Sequence, residues 1–252
     1  MSEDSGLIKK RLVELAKKSY MGGYYTFTPF LGLLEQSLFH EILPEIKGVE
    51  YTAFGGTAGA ERVMIRFGSA SELGYEEDFP IATLKIAPKS EKFADRLTHR
   101  DFLGSLMNLG IERETLGDIV ITGNVGYLFL KEDMADYISD SLSKIKHTDV
   151  TVTRVTEIPE GELYRTETRK IQLSSERLDA VLAKVFCLSR DDAQSLFKRS
   201  LVFVNGRCTE SVSYTPKSGD VISARGYGRL IYRGYDSTSK KGKLNVLVEV
   251  YI

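Results

Sequence analysis

Between Phe79 and Val155 the hydrophobic period switches between two and about 3.6, and this succession constrains the fold more than any other feature of the chain. "PIATLKIAP" (80–88) alternates apolar and polar residues, as a strand with one buried face does. "THRDFLGSLMNLG" (98–110) reads as a helix, with Thr98 at its N-cap and Asp101 three residues on. "GDIVIT" and "VGYLFL" are strands flanking Gly123-Asn124, a hairpin signal. "EDMADYISDSLSKI" (132–145) is amphipathic, and "VTVTRV" (150–155) alternates again. The order is β-α-β-β-α-β, a split βαβ arrangement.

This predicts a ferredoxin-like middle domain over 77–160 within an α+β chain. RNA-recognition motifs share the layout, but layout does not fix function. Their aromatic signature is absent as a clear motif. Tyr127 and Phe129 alternate on one strand, open either to stacking on bases or to packing beneath the helices.

Residues 1–76 read as a separate N-terminal α/β module. "LIKKRLVELAKKSY" (7–20) carries Leu12, Leu15 and Ala16 at helical spacing, and "MGGYYTFTPF" interrupts it. A second helix is expected from about Leu31 to Leu43, ending at Pro44. The strands "VEYTAF" and "RVMIRFG" follow, joined by "GGTAGAE". That loop lacks the Lys-Ser/Thr ending of a phosphate-binding loop, so it reads as a hairpin connection. "EIPEGELYRTETRKIQ" (157–172) reads as an edge strand or linker into the last unit.

No run approaches the roughly 18 apolar residues of a membrane span. "MSEDSGLIKK" lacks the apolar core of a secretory signal. Cys187 and Cys208 have no spaced partners, so both are expected as reduced thiols in a cytoplasmic protein. His40, His99 and His147 are scattered, and no metal or cofactor is expected. The net charge of −1 conceals a split. Residues 171–252 hold 13 Lys+Arg against 8 Asp+Glu, a balance of +5. Residues 1–170 hold 21 against 27, a balance of −6. Such asymmetry points to a polyanion partner for the C-terminal part, or to a chance segregation of charge.

In that part, Ser174 or Ser175 is placed to cap a helix running through Phe186, with Leu178, Val181, Leu182, Val185 and Phe186 as its apolar stripe. Arg177 and Lys184 lie at the stripe's edge. Ser189 caps a second helix, on which Arg190, Gln194 and Lys198 recur every four residues beside an apolar side of Ala193, Leu196 and Phe197. "LVFVNGR" is a strand running into a turn at Asn205-Gly206, and "TPKSGD" is a second turn before "VISARG". Arg225, Arg229 and Arg233 then interleave with glycines and with Tyr227 and Tyr232. Arginine pairs with phosphate through two parallel hydrogen bonds, and tyrosine stacks on bases. The bland alternative is a small domain with a solvated basic surface.

The pieces "RLDAVLA", "SRDDAQSLFKRS", "VFVNGR" and "GDVISARGYGR", at this spacing, resemble the S-four RNA-binding domain over about 174–233. The chain departs from that pattern at Ser200, where glycine is usual after the helix. The resemblance implies an S-four domain over 171–236, with a final strand in 237–252. It also implies contact with structured RNA through Arg177, Ser189, Arg190, Gln194, Lys198, Arg199, Asn205, Lys217, Arg225 and Arg229. "FTPFLGLLEQ", "GGTAGAERVMIRFG" and above all "KIAPKSEKFADRLTHRDFLGSLMNLGIERETLGDI" are similar to the YlmH family of Firmicutes, with departures at Pro29, Gly32 and Leu33. That resemblance implies a monomeric partner of ribosomal RNA and transfer RNA on the large ribosomal subunit, acting in rescue of stalled translation, and a link to cell division.

Two fragments invite an enzymatic reading. His99-Arg100-Asp101 matches the kinase catalytic triplet, but the metal-binding and glycine-rich motifs of a kinase are missing. His99 and Arg100 are open either to a second RNA contact or, for Arg100, to pairing with Asp101 or Glu112. Arg177-Leu178-Asp179 matches the nucleophile motif of pseudouridine synthases, yet it lies inside the S-four helix, where Asp179 is better used to orient Arg177 or Lys184. The leading expectation is a non-enzymatic RNA-binding protein. A protein-interaction adaptor linked to cell division is the alternative, and an RNA-modifying enzyme a minor one.

Overall fold

The computed structural model describes residues 2–156, 158 and 163–252. The part of the expected linker between 157 and 162, residue 158 apart, lies outside them. The described chain divides into two compact units, Met1–Leu163 and Tyr164–Ile252.

The first unit opens with α1 (Ser2–Gly22), longer at both ends than the expected helix. Two-residue β1 (Thr26–Phe27) lies within the segment expected only to interrupt that helix. Then come α2 (Leu33–Ile42), which continues as a short 3-10 turn through Pro44, β2 (Tyr51–Phe54), β3 (Met64–Phe67) and the single turn α3 (Ala70–Leu73). These strands form an antiparallel sheet in the order β1-β3-β2, with the glycine-rich loop joining β2 to β3 as a hairpin connection. Leu12 and Ala16 of α1 and Phe39 and Ile42 of α2 bury against Ile65 and Phe67 of β3.

A second sheet follows, built from β4 (Ile81–Pro88), α4 (His99–Asn108), β5 (Leu116–Thr122), β6 (Val125–Lys131), α5 (Ala135–Ser141), β7 (Lys144–Ile145) and β8 (Thr148–Arg154). Its strand order is β5-β6-β4-β8-β7, antiparallel throughout. Phe102 and Leu106 of α4 and Ala135 and Ile138 of α5 share one core with Leu84, Ile86, Leu128 and Leu130. The second helix is shorter than its amphipathic pattern. It ends at Ser141, because Lys144 and Ile145 pair instead with Asp149 and Thr148 across a turn in which Lys146 takes φ 52°.

Phe129 and Tyr127, the two aromatics that remained open to base stacking, are both buried. They occupy the sheet face opposite Leu128 and Leu130, since side chains alternate along a strand. Phe129 packs against the N-terminal module. A Cβ on Gly56 (φ 93°) would lie 2.4 Å from its ring, and one on Gly117 would lie 2.7 Å from the Phe30 ring and 3.0 Å from the Phe129 Cβ. Hydrogen bonds fasten the same contact. The Asp118 carboxylate accepts from the Glu61 and Arg62 amides at 2.7 and 3.0 Å, and Arg62 donates through Nε to the Leu116 carbonyl at 2.8 Å.

The second unit contains β9 (Thr166–Leu173), α6 (Leu178–Val185), α7 (Arg190–Lys198), β10 (Val202–Val204), β11 (Arg207–Cys208), β12 (Val221–Ala224), β13 (Gly228–Thr238) and β14 (Leu244–Tyr251). All its strands join one antiparallel sheet, ordered β11-β10-β12-β13-β14-β9. The final strand β14 therefore lies between β13 and β9, and β9 begins before residue 171. Leu178, Val181 and Leu182 of α6 and Leu196 and Phe197 of α7 pack with Val202, Ile222, Leu230, Tyr232, Val246 and Val248 in one core.

Candidate RNA interface

Helix α6 starts later than a serine cap predicts. Arg177 occupies the N-cap position with extended backbone (φ −70°, ψ 142°). The first helical amides find acceptors outside the helix, Leu178 N on the Tyr214 carbonyl at 2.8 Å and Asp179 N on the Val212 carbonyl at 3.4 Å. With those donors satisfied by the 211–214 loop, no side-chain cap is required.

Asp179, in the first turn, is fully buried. Arg177 grips its carboxylate with two hydrogen bonds of 3.1 Å, from Nε and Nη2. Gln194 of α7 donates to it through Nε2 at 3.1 Å, and Arg190 Nε lies 3.7 Å from the same oxygen. Burial alone would raise this carboxyl's pKa. The hydrogen bonds from Arg177 and Gln194, with the charges of Arg177 and Arg190, outweigh it and hold the pKa below the ordinary value. Two guanidinium groups share one carboxylate, so the cluster keeps a net positive charge. The side chains of Arg177 and Arg190 remain 36% and 61% exposed. The expected orienting role of Asp179 thus falls on Arg177, Arg190 and Gln194, and Lys184 makes no ion pair with it among the described residues. An Asp enclosed in this way has no open path to a substrate carbon, which removes the basis for reading Arg177-Leu178-Asp179 as a nucleophile motif.

Ser189 caps α7. Its Oγ accepts from the Asp192 amide at 3.0 Å and donates to the Asp192 carboxylate at 2.6 Å. At the far end Ser200 takes the left-handed conformation (φ 53°). Its amide donates to the Phe197 carbonyl and the Leu201 amide to the Leu196 carbonyl, both at 3.0 Å. These are the two bonds of a Schellman closure, so serine occupies the position that glycine favours. Lys198 and Arg199, just before it, are exposed and without an ion pair among the described residues.

The turn carrying Arg225 lies beside this end of α7, because the Arg225 amide donates to the Leu201 carbonyl at 2.9 Å. It also touches the end of α6. A Cβ on Gly228 would lie 3.1 Å from the Phe186 ring, and the exposed Tyr227 ring lies 6.3 Å from that of Phe186. Exposed Arg225 and Tyr227 thus adjoin both helix ends. Lys217 is exposed on the turn before β12, at the opposite end of that strand from Arg225, so the fold does not bring the two together.

Asn205 is exposed and builds the turn: its side chain donates to Asp220 at 2.8 Å and accepts from the Val221 amide at 2.9 Å. The expectations for Arg229 and Tyr232 are corrected. Arg229 is only 8% exposed, and its guanidinium lies 3.8 Å from the Tyr251 ring centre and 5.2 Å from that of Tyr164. Arg225 sits in the 225–227 turn and Arg229 on the strand that leaves it, paired across with Ser223, so the four-residue spacing does not put the two on one surface. Tyr232 is buried with its hydroxyl on Glu176, and its pKa is raised by burial and by that carboxylate, so it cannot stack on a base. Arg233, the third of the series, is paired with Glu249 at 2.8 Å.

Sequence reasoning missed Asp220. This buried carboxylate accepts from Asn205, from the Tyr214 hydroxyl at 3.0 Å and from the Lys217 amide at 2.8 Å, and so ties the two turns of the unit together. Its position after Gly219 in a turn was the available signal.

In the first unit His99 and Arg100 are exposed at the start of α4. Crowding by protein and the nearby Arg113 guanidinium hold the His99 pKa below its ordinary value. Asp101, the third residue of the kinase-like triplet, completes a capping box with Thr98 and pairs with Lys146 at 2.9 Å, which leaves Arg100 outside that pair. No helix of the described residues is long and apolar enough to cross a membrane.

Residues 75–158 match the family described as "Putative RNA-binding domain in YlmH", and residues 176–222 match the S4 domain. The "Ribosome-associated protein quality control protein P2" of Bacillus subtilis (strain 168) is 33% identical over 181 residues, covering 69% of this chain and 67% of that protein. The solved "Cell division protein ylmH from Streptococcus pneumoniae" superposes with a TM-score of 0.48 at 24% identity, over 62% of this chain and 93% of that one. The chain belongs to the YlmH family.

Proposed function

We propose that this chain is a non-enzymatic RNA-binding protein that associates with the large ribosomal subunit, holds structured ribosomal or transfer RNA there, and acts in the rescue of stalled translation. The observation that carries the reading is the Asp179 hub. A buried carboxylate presents two partly exposed guanidinium groups and a glutamine from two adjoining helices, and the second of these helices ends in exposed Lys198 and Arg199, which make no ion pair among the described residues. Such an array suits phosphate oxygens, because the guanidinium planes are fixed before RNA arrives. The ribosome-associated relative supports the choice of partner. The S-four unit is read as the main grip and the ferredoxin-like middle unit as a second contact.

Sedimentation through sucrose gradients tests it. The protein should migrate with large subunits at physiological salt and leave them at high salt. Removing Arg190 should lower the slope of log affinity against log salt by about 0.7 to 0.9. A pull-down that captures a protein partner, insensitive to nuclease and without ribosomal comigration, would replace this reading with the adaptor role.

A further inference from the structure

The segment 89–100, "KSEKFADRLTHR", is a net cationic loop in the acidic first unit. Its Lys89, Lys92, Arg96 and Arg100 are exposed and make no ion pair among the described residues, against Glu91 and Asp95. The Phe93 ring at its centre is 81% exposed, with the Lys92 ammonium 5.5 Å from the ring centre. The face of the ring is thus open to a flat partner, with cations on both sides of it in the sequence.

The loop is fixed on the sheet. The Asp95 amide donates to Thr148 Oγ1 at 2.9 Å, and the Leu97 amide donates to Asn124 Oδ1 at 2.8 Å. Asn124 Nδ2 returns a bond to the Asp95 carbonyl at 2.8 Å, and Leu97 is buried. Phe93 therefore projects from a loop tied to the β5–β6 turn and to β8. Meanwhile Tyr127 and Phe129, the aromatics of the open sheet face, are buried.

We infer that this domain contacts RNA through the 89–100 loop rather than through its sheet face. Phe93 stacks on one unpaired base, and Lys89, Lys92, Arg96 and Arg100 hold the phosphates on either side. The inference rests on the reading of the chain as an RNA-binding protein. An unpaired nucleotide fits because it offers a flat face to the ring and charge to its neighbours together, whereas a closed helix offers the charge alone.

The test is binding of fluorescein-labelled oligouridine to the full-length protein, with a labelled RNA hairpin as a separate probe. Phe93→Ala should weaken oligouridine binding by about five- to a hundredfold, the range expected for losing one stacked base. Phe93→Trp should restore it, and the double variant Arg190→Ala/Arg225→Ala should lose the hairpin while keeping most oligouridine binding. Unchanged oligouridine affinity in Phe93→Ala, no such binding by the wild type, or competition by an acidic polypeptide that Phe93→Ala also loses, would each overturn the inference. Hairpin binding bears only on the S-four reading, so the two fail separately.

Discussion

The Arg177 guanidinium and the Asp179 carboxylate meet in a two-point pair at 3.1 Å, with the acid fully buried and the base at the surface. They stand two residues apart, one at the N-cap position and the other inside the first turn, so the start of the helix itself aims the cation. Gln194 and Arg190 join the same carboxylate from the next helix. One side chain therefore serves helix docking and ligand preparation together.

Asp179→Asn should lower stability by about 1–3 kcal/mol, because the amide keeps the shape but loses the charge-assisted bonds. The folded pKa is depressed, so the stabilisation is complete above the ordinary carboxylate range and fades as pH falls through the lowered value. Urea unfolding at neutral and acidic pH should show this fading in the wild type and its absence in the variant. RNA affinity should fall as well, since Arg177 and Arg190 lose their common anchor.

Arginines of one series should part company. Arg190→Ala and Arg225→Ala should each weaken hairpin RNA binding by about 1–3 kcal/mol; Arg225→Ala should leave the melting temperature unchanged, whereas Arg190→Ala should lower it slightly by removing one cation from Asp179. Arg229→Ala should instead lower stability by about 1–2 kcal/mol through loss of its stacking on Tyr251 and Tyr164, with affinity per folded molecule retained. Filter binding and calorimetry on the same preparations separate the two behaviours.

Ser200→Gly should stabilise the protein by about 0.5–1 kcal/mol, since glycine adopts φ near 53° without the Cβ penalty. The Ser200 hydroxyl's long 3.4 Å contact with Glu210 offsets little of this gain. The denaturation midpoint should rise with its slope unchanged.

The start of α4 should respond to strong acid. Thr98 and Lys146 hold the Asp101 pKa down at about 2, so its cap persists above the ordinary carboxylate range and opens as pH falls from there toward 2. Hydrogen exchange at the Thr98 amide should accelerate over that interval in the wild type. In Asp101→Asn it should be fast throughout and lack the pH step.

The helices of the second unit were legible because their apolar stripes are periodic and the Ser189 cap of α7 is local, whereas the start of α6 was misplaced because its first amides bond to the distant 211–214 loop. The partners of Asp179 were half legible. Arg177 stands two residues away, whereas Arg190 and Gln194 arrive only once α7 packs against α6. Arg229 misled because the chain turns at 225–227 between it and Arg225, and its aromatic partner Tyr251 lies on the adjacent strand, distant in sequence. The fate of Phe129 was not legible at all, for it depends on Gly56 in a different module. Phe93 left no periodic trace, since a single apolar residue in a polar loop fits any pattern.

The seating of Phe129 beneath Gly56 bears on how this protein is dissected. A fragment cut to residues 75–158 would keep every strand and helix of the second sheet yet strip the cover supplied by Phe30 and Gly56. The bared apolar surface would invite self-association, so an expression boundary drawn from sequence matching alone selects for a sticky product. Retaining the first 74 residues keeps that surface sealed.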